Sequence, residues 1–96
     1  MKFAYTVLLT ISTNDDVVLV EVPDLEILTE GYGVVDAIEM AKDAIKLMLE
    51  DRIDHKENIP QPTEYDKIKT EDGTFCNDGD ETIKVLVTVW LDKRSD

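Results

Sequence analysis

Strict apolar alternation occurs at both ends of this chain, and it constrains the fold more than any other feature. Near the start, Phe3, Tyr5, Val7, Leu9 and Ile11 alternate with Ala4, Thr6, Leu8 and Thr10. Near the end, Ile83, Val85, Val87, Val89 and Leu91 alternate with Lys84, Leu86, Thr88 and Trp90. Period two with β-branched and aromatic residues predicts strands that turn one face to a core. Val17 to Val22 reads as another strand. The turn cluster Ser12-Thr13-Asn14-Asp15-Asp16 makes it the antiparallel hairpin partner of the first. Pro23-Asp24 ends that ladder, because proline donates no backbone hydrogen, and Leu25 to Glu30 reads as a shorter third strand.

After Gly31-Tyr32-Gly33 the period becomes helical. Val34, Ala37, Ile38, Ala41, Ala44, Ile45, Met48 and Leu49 fall on one stripe, with Asp36, Glu39, Asp43, Lys46 and Glu50 opposite. Gly33 is the expected N-cap, Asp36 suits the positive end of the helix dipole, and the helix should end near Arg52 or His55. The alanines imply a close approach to the sheet. Residues 55 to 81 are polar and punctuated by Pro60, Pro62, Gly73 and Gly79. Parts of this connection should lie along the surface, with 64 to 70 or 74 to 76 able to pair as an edge strand.

The expected architecture is α+β: one domain over residues 1–96 in the order β-β-β-α-β, mainly antiparallel, with the helix on one face. A last strand parallel to the first would require a right-handed crossover. The face away from the helix would carry Leu8, Val17, Leu19, Leu86 and Trp90. With no further element expected to cover it, self-association follows. Leu8, Leu19, Leu86 and Trp90 are the expected oligomer interface, with a dimer favoured.

Charge narrows the choice of partner. The chain has 96 residues, 10 of them Lys or Arg against 22 Asp or Glu, for a formal net charge of -12. Such a chain repels phosphate backbones, which excludes nucleic acid as the expected ligand. At 43% hydrophobic it is too apolar for a disordered acidic tail. No apolar run approaches the ~20 residues of a membrane span, and no signal-peptide core follows Met1-Lys2. Cys76 stands alone, consistent with a reducing compartment, so a cytoplasmic protein is expected. A macromolecular partner should be basic.

Catalytic chemistry finds little support. His55 and Cys76 are single and lie in unrelated segments, so neither a metal site nor a thiol nucleophile is expected. Asn77-Asp78-Gly79-Asp80-Glu81 is acidic but lacks EF-hand spacing. Glu30 and Asp36 oppose an anion at Gly31-Tyr32-Gly33, leaving a tight turn as the better reading. A two-metal nuclease needs an acid in the middle of a central strand. The stretch from Phe3 to Ile11 has none, the last strand has none before Asp92, and only Glu21 interrupts the second. No cofactor, no metal and no enzyme activity are expected.

Several short motifs in order resemble the HicB antitoxin family. They are Val20-Glu21-Val22-Pro23-Asp24-Leu25, then Thr29-Glu30-Gly31, Asp36-Ala37 and Ala41-Lys42-Asp43-Ala44, and finally Ile59-Pro60-Gln61-Pro62-Thr63. They are similar to that family's F-P-D-L-x-G-C strand end, T-x-G, E-A-x-x-x-A-x-E-A helix and I-P-x-P-S segment. The resemblance implies a partial ribonuclease-H-like fold. It also implies a HicA-like partner, a small basic ribonuclease toxin neutralised by covering its surface. The sequence departs from the pattern at Glu26-Ile27-Leu28, where Gly-Cys is usual, and at Gly33, where Ser or Thr is usual. Only a short polar tail follows the last strand, so direct DNA binding is not expected.

A basic toxin should meet acids where phosphates would otherwise lie. The expected contact comprises Asp24, Glu26 and Glu30 around the third strand, with Glu71, Asp72, Asp78 and Asp80 in the connection. The alternatives are a homodimeric scaffold or sensor with another protein partner, and a ribonuclease-H-like nuclease.

Overall fold

In the computed structural model, which describes residues 1–92, a sheet and one long helix form two layers. The strands are β1 (Lys2–Ile11), β2 (Val17–Val22), β3 (Ile27–Tyr32) and β4 (Glu81–Trp90), and α1 spans Val34–Asp54. All neighbours pair antiparallel in the order β3-β2-β1-β4. The α+β order expected from the alternation is the one observed. Short 3-10 turns lie at Pro23–Leu25, Tyr65–Lys67 and Thr70–Asp72.

Tyr5, Val7 and Leu9 of β1, Val18, Val20 and Val22 of β2, and Val87 and Val89 of β4 are buried beneath α1. The helix answers with Ala37, Ala41, Ile45 and Leu49, spaced by four so that they share one face. Gly31 sets how closely the layers approach: a Cβ there would lie 2.6 Å from the Ala37 backbone. Gly33 enters the helix at φ 88°, a conformation that costs other residues strain. Its carbonyl accepts the Ala37 N–H at 3.0 Å. The Asp36 carboxylate reaches back to accept the Tyr32 N–H at 2.8 Å, tying the first turn of the helix to the end of β3.

The connection from His55 to Asp80 behaves differently from the sequence expectation. It forms no edge strand. It leaves the end of α1, where the Tyr5 hydroxyl donates to the Pro60 carbonyl at 2.6 Å, and passes to the opposite face of the sheet. There it returns to the Ile11 end of β1, so β4 enters beside Ile11 and runs back antiparallel. The chain traverses the sheet in α1 and again in the connection, and a parallel crossover does not arise.

This route covers part of the face expected to be bare. Leu8 is 3% exposed, with Gly73 of the connection packed against it, and Thr6 and Thr10 are buried. Leu19 and Val17 are half-buried, whereas Leu86 and Trp90 remain 58% and 63% exposed. Leu8 is therefore an internal contact of this chain. Of the five residues expected on an uncovered face, only Leu86 and Trp90, at the β4 edge, stay mostly exposed.

Candidate functional site

Three pairs of carboxylate and threonine fasten the connection to the sheet. Asp24 accepts the Thr63 N–H at 2.7 Å and its hydroxyl at 2.6 Å. Glu21 accepts the Thr74 N–H and hydroxyl, both at 2.7 Å. Asp80 accepts the Thr13 N–H at 2.6 Å and its hydroxyl at 2.7 Å. In each case one threonine donates twice to one carboxylate, closing a small ring that satisfies a loop amide. The Asp24–Thr63 pair joins Pro23-Asp24-Leu25 to Ile59–Thr63, two of the motif fragments that carried the family resemblance.

These pairs divide the acids expected to meet a partner. Asp24 and Asp80 hold the chain's own loops together. The Thr13 hydrogen bonds lower the Asp80 pKa below the ordinary carboxylate value. Glu26, Glu30, Glu71, Asp72 and Asp78 are exposed. Glu26 adopts φ 54° at the exit of the Pro23–Leu25 turn, which projects it beside the start of β3. Glu30 pairs in register with Leu19 and so shares the face away from α1.

The pockets show how the connection distributes the rest over that face. Asp72 lines a recess with Leu8, Glu21, Pro23 and Asp24. Asp78 lines another with Thr10, Val17 and Leu19, and Glu71 lies toward Cys76, Asp80 and Thr82. The result is an acidic belt along one face, not a converging pocket. Lys67 and Lys69 interrupt it near Asp72.

β3 is one border of the sheet, and its free side adds apolar contacts. Leu28 and Tyr32 are 55% and 72% exposed and alternate with Glu30 on the same face. Sequence reasoning missed Leu28 and Tyr32, although their even spacing with Glu30 was the available signal. It also missed Glu21 as a fastening residue, which no local pattern marks.

Other chemistry-bearing groups among the described residues lie in separate places on the fold. Glu21, the acid within the inner strands, is occupied by Thr74. Cys76 donates to the Glu71 carbonyl at 3.3 Å. His55, at the end of α1, sits 2.8 Å from the Asp51 carbonyl and 3.3 Å from its carboxylate. That carbonyl and the Asp51 charge raise its pKa. Potential ligand atoms of Asp51, His55 and Glu57 lie within 4.8 Å of one another, all three residues being exposed. Among the described residues, no helix is long and apolar enough to cross a membrane.

No family model matches the chain, and no curated relative does. A solved structure described as a toxin-antitoxin complex from Streptococcus pneumoniae contains a chain of similar fold. It superposes with a TM-score of 0.77 at 22% identity, over 93% of this chain and 69% of that one. At this identity the likeness is one of fold.

Proposed function

We propose that this chain is a HicB-like antitoxin module that binds a small basic ribonuclease toxin of the HicA type and neutralises it by occlusion. The observation that carries this reading is the β3 border. It combines exposed Leu28 and Tyr32 with Glu26 and Glu30, beside the belt formed by Glu71, Asp72 and Asp78. Apolar contacts set residence time, while the acids draw in a basic surface and occupy the positions of RNA phosphates. The fold shared with a chain from a toxin-antitoxin complex supports the same reading. So does the meeting of Pro23-Asp24-Leu25 with Ile59–Thr63.

The proposed activity is binding, without a cofactor or metal. Co-expression with the product of an adjacent gene for a small basic protein, followed by size-exclusion chromatography, tests it. A co-eluting complex that abolishes the partner's RNA cleavage supports the proposal. Unimpaired cleavage in the presence of excess antitoxin overturns it.

A further inference from the structure

We propose that two copies of this chain join through β4, antiparallel about a twofold axis at Thr88, to form one continuous eight-stranded sheet. The backbone phase of β4 supplies the first argument. Leu91 N–H donates to the Met1 carbonyl at 2.8 Å, and the Met1 amine donates to the Leu91 carbonyl at 2.7 Å. In an antiparallel ladder this phase turns the odd positions toward β1 and the even positions outward. The Tyr65 hydroxyl agrees, since it reaches the outward carbonyl of Lys84 at 3.1 Å.

Tyr65 thus blocks the early part of the border. Leu86, Thr88 and Trp90 follow as consecutive outward positions, with no partner for their N–H and C=O groups among the described residues. An edge of this kind is a template for another strand. The β3 edge is shorter, and Asp36 already takes its Tyr32 N–H.

A second copy fits this edge because the pattern is self-complementary about Thr88. Leu86 then faces the copy's Trp90 on the same side of the sheet, and Trp90 faces the copy's Leu86. Both side chains are more than half exposed in the single chain. The same register sets Lys84 opposite the copy's Asp92. Six backbone hydrogen bonds, two from each of three facing pairs, follow from the antiparallel pattern.

Charge favours this border over any other. Residues 2–11 and 82–91 contain no acid and carry Lys2 and Lys84 within a chain of net charge -12. Two such chains therefore approach here with the least repulsion. A basic partner, by contrast, meets lysine at this edge and acid at β3. The opposite borders leave room for both occupants.

Light scattering on the chain alone, with hydrogen exchange of its amides, tests the proposal. We expect twice the 10.9 kDa chain mass at micromolar concentration. The Leu86, Thr88 and Trp90 amides should be protected in the dimer and exchange rapidly on dilution, while Leu28 and Glu30 exchange rapidly in both states. Thr88→Pro removes an outward donor without touching the β1 ladder and should give a folded monomer. Asp92→Lys should weaken the dimer about tenfold, since symmetry counts the pair twice, and Lys84→Glu with Asp92→Lys should restore it.

A monomeric wild type overturns the proposal, as does a dimer whose Leu86, Thr88 and Trp90 amides exchange freely. Wild-type exchange decides the matter even if Thr88→Pro does not fold. No toxin is present, so the outcome is independent of the proposed antitoxin role. Added salt should tighten this dimer by screening its net repulsion, and should loosen a complex with a basic protein.

Discussion

Asp24 and Thr63 lie 39 positions apart and form a closed pair, with Asp24 Oδ2 accepting the Thr63 N–H and Oδ1 its hydroxyl. The pair holds the start of the connection where it turns from the helix layer to the opposite face. Asp24→Ala should cost about 1–2 kcal/mol, as expected for losing a charge-assisted pair near the surface. Thr63→Val should cost less, because its N–H remains. A double-mutant cycle by urea unfolding should give a coupling well above zero. Additive losses would show that the pair contributes nothing as a unit.

Charge reversal separates binding acids from structural ones. Glu26→Lys with Glu30→Lys should slow association with a basic toxin and flatten its salt dependence, leaving unfolding nearly unchanged. Asp43→Lys with Glu50→Lys, on the outer helix, should affect association far less. Stopped-flow measurements at two ionic strengths would compare them. Equal effects would mean that only total charge matters.

Thr6 offers a test of internal polarity. Its Oγ1 is buried with no hydrogen-bond partner among the described residues. An unsatisfied buried hydroxyl costs about 1–3 kcal/mol, so the near-isosteric Thr6→Val should stabilise the fold by part of that amount. Thermal unfolding should show a raised Tm. A lowered Tm would mean that the hydroxyl is satisfied in solution.

Two exposed groups make opposite predictions with pH. Asp80 has its folded pKa lowered by the Thr13 hydrogen bonds. Its stabilising contribution is present above the ordinary value of 3.8 and is lost as pH falls through the folded pKa. His55 has its folded pKa raised, so its contribution is full below the ordinary value of 6.5 and is lost as pH rises through the folded pKa. NMR titration should place the His55 midpoint above 6.5 in the wild type and nearer to it in Asp51→Asn.

The strands, their inward faces and α1 were legible from local pattern alone. The alternation of Phe3 to Ile11 and of Ile83 to Leu91 assigned Tyr5, Val7, Val87 and Val89 to the core, where they lie. The helical stripe likewise marked Ala37, Ala41, Ile45 and Leu49. Backbone geometry repeats every two residues in a strand and every 3.6 in a helix, and burial imprints those periods on the residue order. Charge complementarity with a basic partner singled out Asp24, Glu26 and Glu30 around β3 as an expectation, but gave no sign that Asp24 is bonded to Thr63.

The course of residues 55 to 80 carries no such imprint. It depends on Asp24 meeting Thr63, Glu21 meeting Thr74 and Asp80 meeting Thr13, contacts between segments far apart in the chain. A hydrogen bond across that separation has no period and no local composition, since either partner alone is an ordinary polar loop or strand residue. Those contacts bury Leu8, leave Leu86 and Trp90 exposed, and separate the acids that hold loops from those that face solvent. Strand pattern could identify the apolar face, but the choice of which part stays bare belongs to the folded chain, where a polar segment crosses the sheet and covers one half.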